Sequence, residues 1–130
     1  AVLPQLLQQG EGAIVIVGSA AGFRGQPLAL AYGASKAAVI NFAEGLYLNV
    51  AQRGIGVFLV TPGHVGNALN GQKGLADISA YDAAKRILCG MAQGRFEIHF
   101  PRRYTLLLKF LRALPKWLYL RLGGRAADVY

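Results

Sequence analysis

Cysteine, histidine and carboxylate are scarce in this chain of 130 residues, which holds one Cys, two His and six Asp or Glu. A single thiol excludes an internal disulfide, and Cys89 has no companions at metal-ligand spacing. It falls on the apolar side of a predicted helix, where a buried, inert thiol is expected. His64 and His99 also lack His, Cys or carboxylate partners at ligand spacing, so structural roles are expected and no metal is implied. The carboxylates Glu11, Glu44, Asp77, Asp82, Glu97 and Asp128 show no paired arrangement for acid–base work. No apolar run is long enough to cross a bilayer, and there is no signal peptide, internal repeat or low-complexity segment.

What is present is an apolar chain. The hydrophobic fraction is 54% and the charged fraction 15%, with length enough for one domain and not two. Strands buried on both faces of a parallel sheet read this way, and exposed apolar patches are expected if the chain stands alone. The net charge of +8 is uneven: of 14 basic residues, seven (Arg102, Arg103, Lys109, Arg112, Lys116, Arg121 and Arg125) fall from Arg102 onward, opposed there by Asp128 alone. A cationic tail suits an anionic surface. Nucleic acid is not expected as a partner, because no recognition fold is visible and the basic residues are interleaved with leucines.

AIVIVGSA (13–20) is a short β-branched run ended by small residues and reads as a buried strand. From about Leu28 to Gln52 apolar positions recur at helical spacing, with Gly54 as a cap, and GIGVFLVTPG (54–63) is a second buried strand. Strand, long crossover and strand make a βαβ unit of an open α/β sheet, whose ligands bind beyond the carboxyl ends of the strands. Ser19 and Pro62-Gly63 sit at two such ends. The polar, glycine-rich stretch 64–78 reads as a mobile loop over that crevice. Ser79 with Asp82 predicts a capped helix to about Gln93, stopped by Gly94. RFEIHF (95–100) predicts a short strand near the sheet edge, and the remainder is helical with a break before Pro115. This divides the chain into residues 1–100, part of a Rossmann-type doubly wound parallel sheet, and a basic amphipathic tail, 101–130.

Tyr32 and Lys36 in YGASK stand four apart, one turn from each other on one helix face. An ammonium beside a phenol favours the phenolate, which makes the tyrosine a candidate proton donor and acceptor for a carbonyl/alcohol pair. A hydroxyl such as that of Ser19, thirteen residues upstream, could hold the substrate oxygen. Ser35, inside the same motif, reads as packing.

Ser19 at a strand end, Tyr32 with Lys36 in the following helix, and Pro62-Gly63 closing the next strand together resemble the short-chain dehydrogenase/reductase family. The resemblance implies an NAD(P)-dependent oxidoreductase in which Ser19, Tyr32 and Lys36 are catalytic. It further implies that Tyr32, Lys36, Pro62, Gly63, Val65 and Asn67 touch the cofactor, NAD or NADP, with Lys36 on the nicotinamide ribose. Asn67 stands about where many members carry a threonine. The family's T-G-x-x-x-G-x-G turn, its Asn-Asn-Ala-Gly-like segment and its catalytic asparagine have no counterpart, and AVLPQLLQQGEG resembles the tail of the helix before the serine strand. A C-terminal half of a member is therefore expected. A non-catalytic remnant serving as an interaction or membrane-surface module is the rival. Nothing suggests an oxidising compartment, so a cytoplasmic enzyme is expected, a homo-oligomer at full length, and a small apolar carbonyl or alcohol substrate, lipid-derived ones included, fits the leucine-rich tail. In that tail Lys109, Arg112 and Lys116 share one helical face and leucines with Trp117 cover most of the rest. Such a helix either lies in a membrane interface at the inner face or covers the substrate cleft or a subunit interface.

Overall fold

Ile14-Val15-Ile16-Val17, four β-branched residues in a row, form most of strand β1 (Gly12–Val17) in the computed structural model, which describes residues 2–27, 29–63 and 78–127, the last six by backbone alone. Helix α1 (Val2–Gln9) precedes it. A single 3₁₀ turn, Ala20–Gly22, leads to the 21-residue helix α2 (Leu30–Val50) and then to strand β2 (Ile55–Pro62). Helix α3 (Ala80–Ala92), strand β3 (Glu97–Phe100) and helices α4 (Arg102–Ala113) and α5 (Lys116–Ala127) follow. The three strands are parallel in the order β1-β2-β3, with Ile14 opposite Val57 and Val60 opposite Ile98.

β2 is the central strand, and its burial decides the layering. Ile55, Val57 and Leu59 point to one face, where Ile40, Ala43 and Val50 of α2 and Leu108 of α4 meet them. Phe58 and Val60 point to the other, against Ala83, Ile87 and Met91 of α3. Period-two alternation with both faces covered gives an α/β sheet of Rossmann type. Each fully buried aliphatic side chain contributes about 1.5–3 kcal/mol, so this strand and its two helical layers hold the fold together.

The predicted capping arrangement opens α3: the Ser79 hydroxyl accepts from the Asp82 amide at 3.0 Å. Gly94, at φ +66°, stands just past its end. Among the described residues β3 lies at one sheet edge and β1 at the other, which corrects the expectation of a buried first strand: one face of β1 lacks a covering layer, and Val15 and Val17 are exposed. Cys89 corrects the expectation of a buried thiol, being exposed. α3 turns Ala83, Ile87 and Gly90 inward, and Cys89 sits most of a half-turn away from that face. A Cβ on Gly90 would lie 2.6 Å from Ile98 Cγ1, so a glycine, not the apolar thiol, marks where this helix meets the sheet. No helix among the described residues is long and apolar enough to cross a membrane.

Candidate active site

Backbone geometry at the carboxyl end of β1 sets the position of Ser19. The Gly18 amide donates to the Val60 carbonyl at 2.8 Å and carries the pairing one residue past the strand. Ser19 then caps the 3₁₀ turn, its Oγ accepting from the Ala21 amide at 3.2 Å. The side chain is buried, and its hydroxyl proton is left to donate elsewhere.

Tyr32 lies in the first turn of α2 and is 53% exposed, and Ser35 Oγ donates back to its carbonyl at 2.8 Å, a local bond within the helix. One turn on, Lys36 Nζ donates to the Val17 carbonyl at 3.1 Å and stands 5.7 Å from the centre of the Tyr32 ring. The lysine therefore ties the start of α2 to the end of β1 and keeps a cation beside the phenol. That bond uses one of three ammonium protons, and two remain for other acceptors. Pro62 ends β2, and the Gly63 amide donates to the Phe100 carbonyl at 2.7 Å.

Ser19, Tyr32 and Gly63 line one cavity of about 370 Å³ together with Gln26, Ala29 and Tyr104. Lys36 does not line this cavity; its ammonium lies beside the Tyr32 ring, on the Val17 carbonyl. Val65, Asn67 and His64 lie outside the described residues. Sequence reasoning missed Gln26 and Tyr104. Tyr104 comes from α4, and a Cβ on Gly63 would sit 2.9 Å from its ring. No spacing in the chain announces that approach; only the packing of α4 on the sheet produces it. A second cavity, of about 340 Å³ beside β3, is lined by Arg86, Arg95, His99 and Arg102 among others and shares no residue with the first.

His99 sits between β3 and α4, its Nδ1 2.7 Å from Thr105 Oγ1. The one Thr105 hydroxyl proton also has the Pro101 carbonyl at 3.0 Å and the Arg102 carbonyl at 3.2 Å within reach, so the imidazole tautomer sets which partner donates in the His99 contact. Burial first, then the Lys109 ammonium, with smaller contributions from Arg102 and Arg95, hold the imidazole below its usual 6.5; Glu97 opposes them. The folded chain thus disfavours the imidazolium, and the stability this confers is present above pH 6.5 and lost as pH falls from there through the lowered folded value. The thermal midpoint should fall over that window, and His99→Gln should flatten the fall. An unchanged slope in the variant would assign the acid sensitivity to other groups.

A family profile described as "short chain dehydrogenase" matches residues 1–71. The chain is 32% identical over 122 residues to an uncharacterized oxidoreductase of Myxococcus xanthus, covering 92% of this chain and 48% of the relative. A short-chain dehydrogenase from Burkholderia cenocepacia in complex with NADP shares the fold at a TM-score of 0.75 and 25% identity, over 92% of this chain and 50% of that one. A short-chain dehydrogenase from Sphingobium yanoikuyae in complex with NADPH aligns at a TM-score of 0.67 and 27% identity, over 82% and 45%. The chain belongs to the short-chain dehydrogenase family. It spans about half the length of the relatives it matches.

Proposed function

We propose that this chain carries the proton-transfer site and the nicotinamide end of the cofactor site of an NAD(P)-dependent oxidoreductase acting on an apolar carbonyl or alcohol. The observation that carries the reading is the convergence of Ser19, Tyr32 and Gly63 on one cavity with the Lys36 ammonium against the phenol ring. Nicotinamide cofactors bound by two structural neighbours support the choice of cofactor class.

The residues present fit the nicotinamide–ribose end of such a cofactor. The crevice lies beyond the carboxyl ends of parallel strands, with Ser19 from the end of β1 and Gly63 from the end of β2 both on its wall. Pro62 and Gly63 would flank the ring, Lys36 would hydrogen-bond the ribose, and Val65 and Asn67 would add contacts if the family pattern holds. When bound, the nicotinamide supplies or takes the hydride at the carbonyl carbon. Everything else falls to the chain. The Ser19 hydroxyl donates to the substrate oxygen as negative charge builds there. Tyr32 delivers its phenolic proton to that oxygen in reduction and removes it in oxidation. Ala29 and the Tyr104 ring line the pocket with apolar surface, which favours an apolar substrate.

Titrating the 130-residue chain with NADH and with NADPH, followed by nucleotide fluorescence, tests this reading. Saturable binding of one or both is expected. Binding of neither would overturn it and favour a remnant that has lost the reaction.

A further inference from the structure

α4 is apolar on both sides. Thr105 and Leu108 are buried against the sheet, and on the opposite side Leu106, Leu107 and Phe110 stand exposed, Phe110 at 64%. α5 continues the theme with Trp117 at 66% and Leu120 at 67% exposed. Helical spacing places Arg103 on the side of Leu106, Leu107 and Phe110, and Lys116 and Arg121 on the side of Trp117 and Leu120. The sequence holds no Asp or Glu from Ile98 to Ala127.

The corner between these helices is braced from the body of the chain. The Arg24 guanidinium donates to the carbonyls of Arg112 and Leu114, each at 3.2 Å, and lies 4.5 Å from the centre of the Tyr119 ring. The Tyr119 hydroxyl donates to the Gly25 carbonyl. These contacts fix the corner to the connection that follows Ser19. They also revise which cations face outward: Lys109 pairs with Glu97 and lies 5.7 Å from the Phe23 ring, so it belongs to the packed side of α4.

We infer that the α4–α5 corner docks on the surface of an anionic lipid bilayer. Leu106, Leu107, Phe110, Trp117 and Leu120 enter the boundary between headgroups and acyl chains, and Arg103, Lys116 and Arg121 meet lipid phosphates and carboxylates. Apolar side chains rimmed by unopposed cations match that boundary in both polarity and charge. A second copy of the chain is a poorer occupant, because pairing this face with itself sets cations against cations with no carboxylate between them.

Trp117 is the one tryptophan of the chain and therefore an unambiguous reporter. With vesicles of phosphatidylserine and phosphatidylcholine, flotation of the 130-residue chain and a blue shift of its tryptophan emission are expected, and both should weaken in high salt. Replacing Arg103, Lys116 and Arg121 together by Gln should lower vesicle affinity on the order of 10²-fold, each cation near an anionic leaflet contributing about a factor of five. Replacing Lys85, Arg86 and Arg95 by Gln removes the same charge elsewhere and should change it far less. Circular dichroism checks that both variants fold, and Phe110→Gln supplies a second route should the triple variant fail that check. Equal recovery on pure phosphatidylcholine, equal losses in the two triple variants, binding with no emission shift, or self-association in place of vesicle binding would each overturn the proposal.

Discussion

Exchanging Tyr32 for phenylalanine is expected to slow carbonyl reduction on the order of 10²–10⁴-fold, the range that a positioned general acid supplies. The change removes one oxygen from a ring that is half in solvent and whose hydroxyl makes no hydrogen bond among the described residues. Its effect on stability should therefore stay within about 0.5 kcal/mol. Nicotinamide nucleotide binding should fall only modestly, because Lys36 is still anchored on the Val17 carbonyl. The loss then appears in kcat far more than in KM, as expected for a group whose contribution grows toward the transition state. The measurement is the rate of NAD(P)H consumption with an apolar ketone, parent beside variant, together with the fluorescence titration. Equal rates in the two proteins would remove Tyr32 from the chemistry. A matching loss of nucleotide binding would make it a cofactor contact instead.

The parts of the fold that could be read from residue order are those whose pattern is local. Ile14 to Val17 announce a strand by branching alone, though at the sheet edge it is not the buried strand expected, and α2 is announced by an alanine-rich, proline-free stretch of good helix propensity. Ser79 and Asp82 close a cap within four residues, the Ser79 hydroxyl accepting from the Asp82 amide and donating to the Asp82 carboxylate. Reading failed where the deciding contact joins distant segments. Cys89 is apolar and lies on a helix, but the inward face of α3 is chosen by the fit of Gly90 against Ile98, on the next strand. Lys109 fits a basic stripe by spacing, yet its partner Glu97 reaches it from β3, and Glu97 is itself held by the buried Thr61 hydroxyl at 3.2 Å. Tyr104 enters the candidate site because α4 folds back over the end of β2, and its neighbours in sequence carry no sign of that. The same distinction holds for the site. Ser19, Tyr32 and Gly63 were legible because strand ends and a helix start follow from local pattern, whereas the wall opposite them was not.

Gly22→Ala should do more damage than its added methyl group suggests. The new Cβ would lie 2.6 Å from the carbonyl carbon of Lys36, 2.8 Å from the Ala37 nitrogen and 2.8 Å from Ile40 Cδ1. The isoleucine can rotate, but the other two atoms are the backbone of α2 and can yield only by moving the helix. The 3₁₀ turn must then lift away, taking with it Ala20 and Phe23, both buried in the cluster that holds Ile40, Ala43 and Leu59. Overpacking of this kind costs about 1–3 kcal/mol, seen as a lower urea midpoint with little change in slope. Ser19 caps that same turn and Lys36 lies at the point of contact, so the distortion also separates the two walls of the cavity. Activity should fall even at temperatures where the variant is fully folded. Gly25→Ala is the matched control: it lies on the same connection, is exposed, and would place its Cβ with no heavy atom within 4 Å. It should shift stability by less than about 0.5 kcal/mol. If the two alanine variants unfold at the same urea concentration, the direct seating of the serine turn on the tyrosine helix is not what holds the cavity together.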